Sequence, residues 1–161
     1  MSTSQKKKKK KLGILRYDLK NRRIYLVGEV IRGMSRLVEK AIYLMQKKDP
    51  RAPIGMFLSS DGGSYPESLE IYQIILNSRA RIDVMVADKA FSGASLILQA
   101  GKKRIAFPEA KIGFHRFIYT RRGRPVEKIL ELFNLGAQFT ARTAKKLHLI
   151  DEIIKAKRRP K

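Results

Sequence analysis

A repeated strand–turn–helix plan constrains this chain more than any other feature. Pro53 precedes a compact apolar run over residues 54–58, which enters Ser59-Ser60-Asp61-Gly62-Gly63-Ser64, a turn by composition. Residues 66–76 then place Leu69, Ile71, Tyr72, Ile74 and Ile75 at helical spacing, with Pro66 in the first turn. The plan recurs: residues 82–87 read as a strand and 92–100 as a helix closed by Gly101. Upstream, residues 13–18 and 23–28 predict two strands joined by the polar turn Leu19-Lys20-Asn21-Arg22, and 34–47 a helix. Downstream, 105–107 and 112–115 read as short strands around Pro108-Glu109-Ala110. Residues 126–135 and 140–147 read as helical on either side of Gly136, and 149–154 as a last strand. Strands alternating with helices predict an α/β domain with a largely parallel sheet. In such sheets ligands bind beyond the carboxyl ends of the strands. Gly62-Gly63, Ser92 and His115 all fall at strand ends.

Two of these residues carry chemistry. Ser92, in Ala90-Phe91-Ser92-Gly93-Ala94, opens a helix, where converging backbone N–H groups can hold an oxyanion. His115 ends Lys111-Ile112-Gly113-Phe114-His115, and imidazole is the side chain best suited to take a proton from a hydroxyl near neutral pH. Taken alone, Ser92 reads as a helix cap and His115 as a structural histidine. Ser95, one turn along the same face, is the fallback nucleophile. Lys89 and Lys111 invite a Ser–Lys pairing, but a lysine base needs burial and solvated lysines are the default in so basic a chain. His148 reads as structural, and Asp151 and Glu152 as surface or interface residues.

Composition narrows the classes. At 161 residues the chain predicts one domain with a real core. It has no cysteine and two histidines, which removes disulfides, zinc–thiolate sites and any good metal cluster, so no cofactor is expected. No apolar run approaches the roughly 20 residues that span a bilayer, and the N-terminus lacks the apolar core of a secretory signal. A cytoplasmic protein is the expectation. Charge is the unusual property, +22 in all. Residues 6–11 are an unbroken lysine run, and Lys155, Lys157, Arg158, Arg159 and Lys161 close the chain. Without these eleven cations, residues 12–154 still carry about +11. A solvated surface is the plain reading. Attraction to nucleic acid, acidic lipid or acidic polypeptide is the functional one, with nucleic acid bound through the basic tails.

Several segments together resemble one family. Leu19-Lys20-Asn21-Arg22-Arg23-Ile24-Tyr25-Leu26-Val27-Gly28 is similar to the opening of the proteolytic subunit of Clp protease, ClpP. Leu58-Ser59-Ser60-Asp61-Gly62-Gly63 resembles that family's Asn-Ser-Pro-Gly-Gly turn, and Ala90-Phe91-Ser92-Gly93-Ala94 stands at its nucleophile segment. The stretch from Phe107 to His115 is similar to its Leu-Pro-Asn-Ser…His segment, and Leu149-Ile150-Asp151-Glu152-Ile153-Ile154 to its closing Gly-Leu-Ile-Asp. The resemblance covers roughly residues 19–154. It implies a ClpP/crotonase-like domain of repeated ββα units over residues 12–154, between a disordered lysine-rich tail (1–11) and a basic C-terminal tail (155–161). By position it implies Ser92 as nucleophile, His115 as general base, and the amides of Gly63 and Gly93 as an oxyanion hole. It further implies a serine endopeptidase acting on peptides or unfolded proteins, a homo-oligomer, and an AAA+ Clp ATPase as partner in ATP-dependent protein quality control.

Three departures accompany the resemblance. Counting back from Asp151, the family's third triad residue, an aspartate, falls on Gly136, and no acid lies between Glu131 and Asp151. Asn134 is the nearest polar stand-in; it can orient an imidazole but supplies no charge to stabilise imidazolium. The span after His115 is about twenty residues shorter than the family's, in the region through which its rings stack. The family's N-terminal ATPase-contacting loops are replaced by lysines. The sequence therefore leaves two alternatives beside the peptidase: a weak or inactive structural or regulatory subunit, and a basic nucleic-acid-binding protein on a borrowed fold.

Overall fold

The computed structural model describes residues 13–114 and 138–154. Among them, eight strands form one sheet: β1 (Ile14–Asp18), β2 (Arg23–Val27), β3 (Ile54–Ser60), β4 (Ile82–Phe91), β5 (Lys103–Ala106), β6 (Lys111–Gly113), β7 (Gln138–Thr140) and β8 (Glu152–Ile153). Helices α1 (Met34–Lys48), α2 (Tyr65–Leu76) and α3 (Gly93–Ala100) are the crossovers between β2, β3, β4 and β5, and α4 (Ala141–Lys146) precedes β8. The main strand order is β1-β2-β3-β4-β5-β8. Pairing is parallel from β2 through β8, with antiparallel pairs only at β1–β2 and β6–β7. The expected α/β domain with a largely parallel sheet is what the chain forms.

Strict alternation decides which face is covered. Ile24, Leu26, Met56, Leu58, Val84 and Val86 are buried, and share a core cluster with Val38, Ala41, Met45, Ile71, Ile75, Ile97 and Leu98 from the helices. Their neighbours Tyr25, Phe57, Met85 and Ile105 point the other way and are half-buried, aligned across four strands by the register. Tyr25 and Phe57 stack there at 5.1 Å.

Two elements differ from the sequence expectation. Strand β4 runs on to Phe91 instead of ending at residue 87, past a register shift against β3 between Leu58 and Ser60. Its first half pairs with β5 and its second half, Lys89 to Phe91, with β6. Asp88 and Lys89 interrupt the apolar pattern just where the strand changes partner, which hides the extension. Strand β7 was not expected, because Phe139 is its one apolar residue; α4 consequently starts at Ala141, with the Thr140 hydroxyl accepting from the Thr143 amide at 3.3 Å. The helix expected over 126–135 lies outside the described residues.

Long-range polar contacts pin the helix ends. Gly33 has no side chain with which to cap α1, so Glu67 of α2 does it, accepting from the Gly33 and Ser35 amides at 2.9 Å each. Burial pushes the Glu67 carboxyl up, but these amide bonds and the nearby Arg32 outweigh it and hold the group below its ordinary range. A depressed folded pKa contributes stability above the ordinary carboxylate pKa and loses it as pH falls through the lowered value. Glu67→Gln should therefore cost about 1–2 kcal/mol at pH 7 and flatten the decline in stability below about pH 4, read by urea unfolding across pH. At the other end of α1, Arg22 donates to the Met45, Asp49, Ala52 and Pro53 carbonyls and closes the loop into β3.

Asp151 proves to be structural and not simply a surface acid. The Arg104 side chain is 5% exposed and meets Asp151 through both Nη2 (2.6 Å) and Nε (3.1 Å), while its Nη1 donates to Gln99 at 2.7 Å. Glu152 pairs with Lys103 beside it. Removing the Asp151 carboxylate would strand a buried guanidinium, with Asp151's partial exposure letting water offset some of the loss. Asp151→Ala should cost about 2–3 kcal/mol by denaturant unfolding, well beyond the effect of Glu152→Ala.

Candidate active site

Parallel pairing of β3 and β4 brings their carboxyl ends side by side, so the turns that follow them meet. After β3 the chain turns through Gly62 (φ 90°) and Gly63 (φ 149°). Val30 clamps this turn: its amide donates to the Gly62 carbonyl and its carbonyl accepts from the Ser64 amide, both at 2.8 Å. The Ser60 hydroxyl accepts from the Gly62 amide at 3.0 Å. Side chains are excluded here by space as well as by conformation. A Cβ on Gly63 would lie 2.3 Å from the Val30 carbonyl oxygen, and one on Gly62 would lie 2.8 Å from the Ser92 Cβ.

Ser92 occupies the junction of β4 and α3 with φ 52° and ψ −124°, a conformation natural to glycine and strained for serine. Its amide donates to the Gly113 carbonyl at 3.0 Å and its carbonyl accepts from Ser95 and Leu96, so strand, helix and β6 together impose the geometry. Gly93 follows. A Cβ there would sit 2.2 Å from the Ser68 hydroxyl and 4.0 Å from the Gly63 nitrogen. The amides of Gly63 and Gly93 therefore lie close together beside Ser92, and neither has an acceptor among the described residues. Two unengaged N–H groups next to a serine can stabilise a developing oxyanion.

The structure thus brings together Ser92, Gly63 and Gly93; His115 and Asn134 lie outside the described residues. Ser95 is fully buried and its hydroxyl is 2.6 Å from both the Ala90 and Gly113 carbonyls, so it ties β4 to β6 and offers no free nucleophile. Lys89 gives its ammonium to Asp61 at 2.7 Å and Lys111 is exposed, so neither is the buried lysine that a Ser–Lys pair needs. His148 is exposed with φ 57° just after α4, a backbone role in keeping with a structural residue. Val30 and Ser68 went unremarked in the sequence. Nothing in their local pattern marks them, since one acts through its backbone and the other by filling space under Gly93.

Among the described residues no group of His, Asp or Glu is placed to hold a metal ion, and no helix is long and apolar enough to cross a membrane. A comparison with protein-family models matches residues 6–120 to the Clp protease family. That match spans well over half of the 161 residues, and the chain belongs to this family of peptidases.

Proposed function

We propose that this member of the Clp protease family is a serine endopeptidase that cleaves peptides or unfolded proteins through an acyl-enzyme on Ser92, with residues 12–154 as the peptidase domain. The observation that carries the reading is a strained serine packed against two unengaged glycine amides. In this mechanism His115 takes the Ser92 hydroxyl proton as Oγ attacks the scissile carbonyl carbon. The carbonyl oxygen becomes an oxyanion, held by the Gly63 and Gly93 N–H groups. Collapse breaks the C–N bond, and the imidazolium returns its proton to the leaving amine. Water, deprotonated by the same imidazole, then hydrolyses the ester and frees Ser92.

Chain connectivity supports the role of His115. The Gly113 carbonyl accepts the Ser92 amide, and His115 is two residues further along the chain, a span of about 7 Å at full extension. Counting back from Asp151 along the sequence puts the third member at Gly136. With glycine there, and Asn134 the nearest polar substitute, catalysis runs on a dyad and turnover is low. The test is hydrolysis of a fluorogenic peptide by the purified chain, lost in both Ser92→Ala and His115→Ala.

The family reading also supplies partners: copies of the same chain, an AAA+ Clp ATPase, and a cytoplasmic setting with no cofactor. Exposed Leu37 and Tyr43 on α1 give apolar surface for contact between copies. Missing charge at the third position favours a second reading, a subunit that keeps the fold and contributes little hydrolysis. Wild-type hydrolysis that depends on Ser92 would dispose of it.

A further inference from the structure

We infer that the end of the sheet opposite Ser92 is a docking surface for the phosphate backbone of a nucleic acid strand. The loops entering β3, β4 and β5 gather at this end, tied by the Ile54 amide to the Arg81 carbonyl and the Lys102 amide to the Ile82 carbonyl, both at 2.8 Å. Arg51, Arg79, Arg81 and Lys102 project from these loops and are exposed, and Lys47 and Lys48 end α1 beside them. Arg79, Arg81 and Lys102 line a groove of about 450 Å³ between the ends of α2 and α3, and no acidic residue lines it.

Of these six cations Arg81 has an ion-pair partner, Asp83 at 2.8 Å; the other five have none among the described residues. Asp49 shares the rim and is held ionised by the Arg51 and Ala52 amides, so it offsets one of these charges and leaves the rim net positive. Helix C-termini account for Lys47 and Lys48, since a cation in the last turn complements the dipole. Arg51, Arg79 and Lys102 follow the C-caps of α1, α2 and α3 by one or two residues, but three helix ends of about half a negative charge each offset only part of six cations. Uncompensated cations so close together repel one another, and an anionic ligand relieves the repulsion.

The arrangement favours a linear polyanion. The three loops enter neighbouring strands about 4.8 Å apart, so their cations succeed one another across the sheet end and suit a row of phosphates better than a single small anion. A membrane surface would call for aromatic residues among the cations, and the groove lining contains none. The described residues next to both tails lie at the other end: Ile14 pairs with Val27 at the far end of β2, and the Ile154 amide donates to Ala106 at the far end of β5. Removal of residues 1–11 separates tail binding from rim binding.

Fluorescence anisotropy with labelled 20-nucleotide RNA and DNA strands tests the proposal on the full chain. Arg51→Glu/Arg79→Glu/Lys102→Glu should weaken binding at least about 10-fold at 100 mM salt, and lower the slope of log affinity against log salt by about 2. A control with the same charge change elsewhere, Arg36→Glu/Lys40→Glu/Arg142→Glu, should alter affinity less than about 3-fold. The neutral triple Arg51→Gln/Arg79→Gln/Lys102→Gln gives a smaller loss of the same sign and serves if charge reversal perturbs folding. Comparable losses in rim and control variants, or no loss in the rim variants, would overturn the inference. So would binding that vanishes when residues 1–11 are removed, or binding to phosphatidylserine vesicles without binding to either oligonucleotide.

Discussion

Ser92→Ala should reduce peptide hydrolysis by about 10²- to 10⁴-fold while leaving the fold intact, and Ser92→Gly should do the same while raising stability by about 1 kcal/mol. The first effect follows from removing the attacking oxygen; the amides of Gly63 and Gly93 remain and support only weak attack by water. The second follows from the backbone. At φ 52° and ψ −124° a serine or alanine is strained, and glycine is not. A residue that is inactive when replaced but more stable when replaced by glycine is held in place for its chemistry. Kinetics and thermal unfolding of the three proteins side by side check both halves. A Ser92→Gly protein less stable than wild type would show that the serine is kept for packing, and undiminished hydrolysis in Ser92→Ala would remove it from the reaction.

Gly136→Asp should raise kcat/KM at least about 10-fold, largely through kcat, with a ceiling near the 10⁴-fold that the triad carboxylate contributes elsewhere. A carboxylate beside imidazole fixes its tautomer and stabilises the imidazolium formed as Ser92 attacks. The sign of the pH effect is fixed as well. A neighbouring negative charge favours protonated histidine, so the acid limb of the rate profile should move to higher pH in the variant. Gly136→Asn separates the two contributions, since it can orient the ring without charge and should leave the limb where it is. Asn134→Asp tests the competing position. If it produces the gain and Gly136→Asp does not, the third member belongs at 134.

The architecture was legible where the chain repeats itself. Residues 54–76 and 82–100 each show a compact apolar run, a turn and an apolar helical face, and each became a strand and a crossover helix. Where identity depends on distant partners the sequence is silent. Strand β7 exists because Phe139 and its neighbours pair with Lys111 to Gly113, not because Gln138-Phe139-Thr140 favours a strand. Asp151 looks like any surface acid until Arg104 is found buried against it.

The site divides along the same line. Strand ends mark Gly63 and Ser92 as neighbours once the sheet is known to be parallel, so their approach could be anticipated from topology. The strain at Ser92, the clamp by Val30 and the filling of space by Ser68 arise only when three segments converge. Ser95 illustrates the difference: spacing alone made it a rival nucleophile, and two carbonyls at 2.6 Å give it a structural task.

One experiment bears most directly on the central claim, that Ser92 is a nucleophile primed by its surroundings. Treat the folded wild-type chain and its Ser92→Ala and Ser95→Ala variants with a fluorophosphonate, and locate any adduct by peptide mass spectrometry. A phosphonylated Ser92 in wild type and Ser95→Ala, with no adduct in Ser92→Ala, is the expected result. A folded wild-type protein that remains unmodified at Ser92, with Gly136→Asp likewise unreactive, would contradict it.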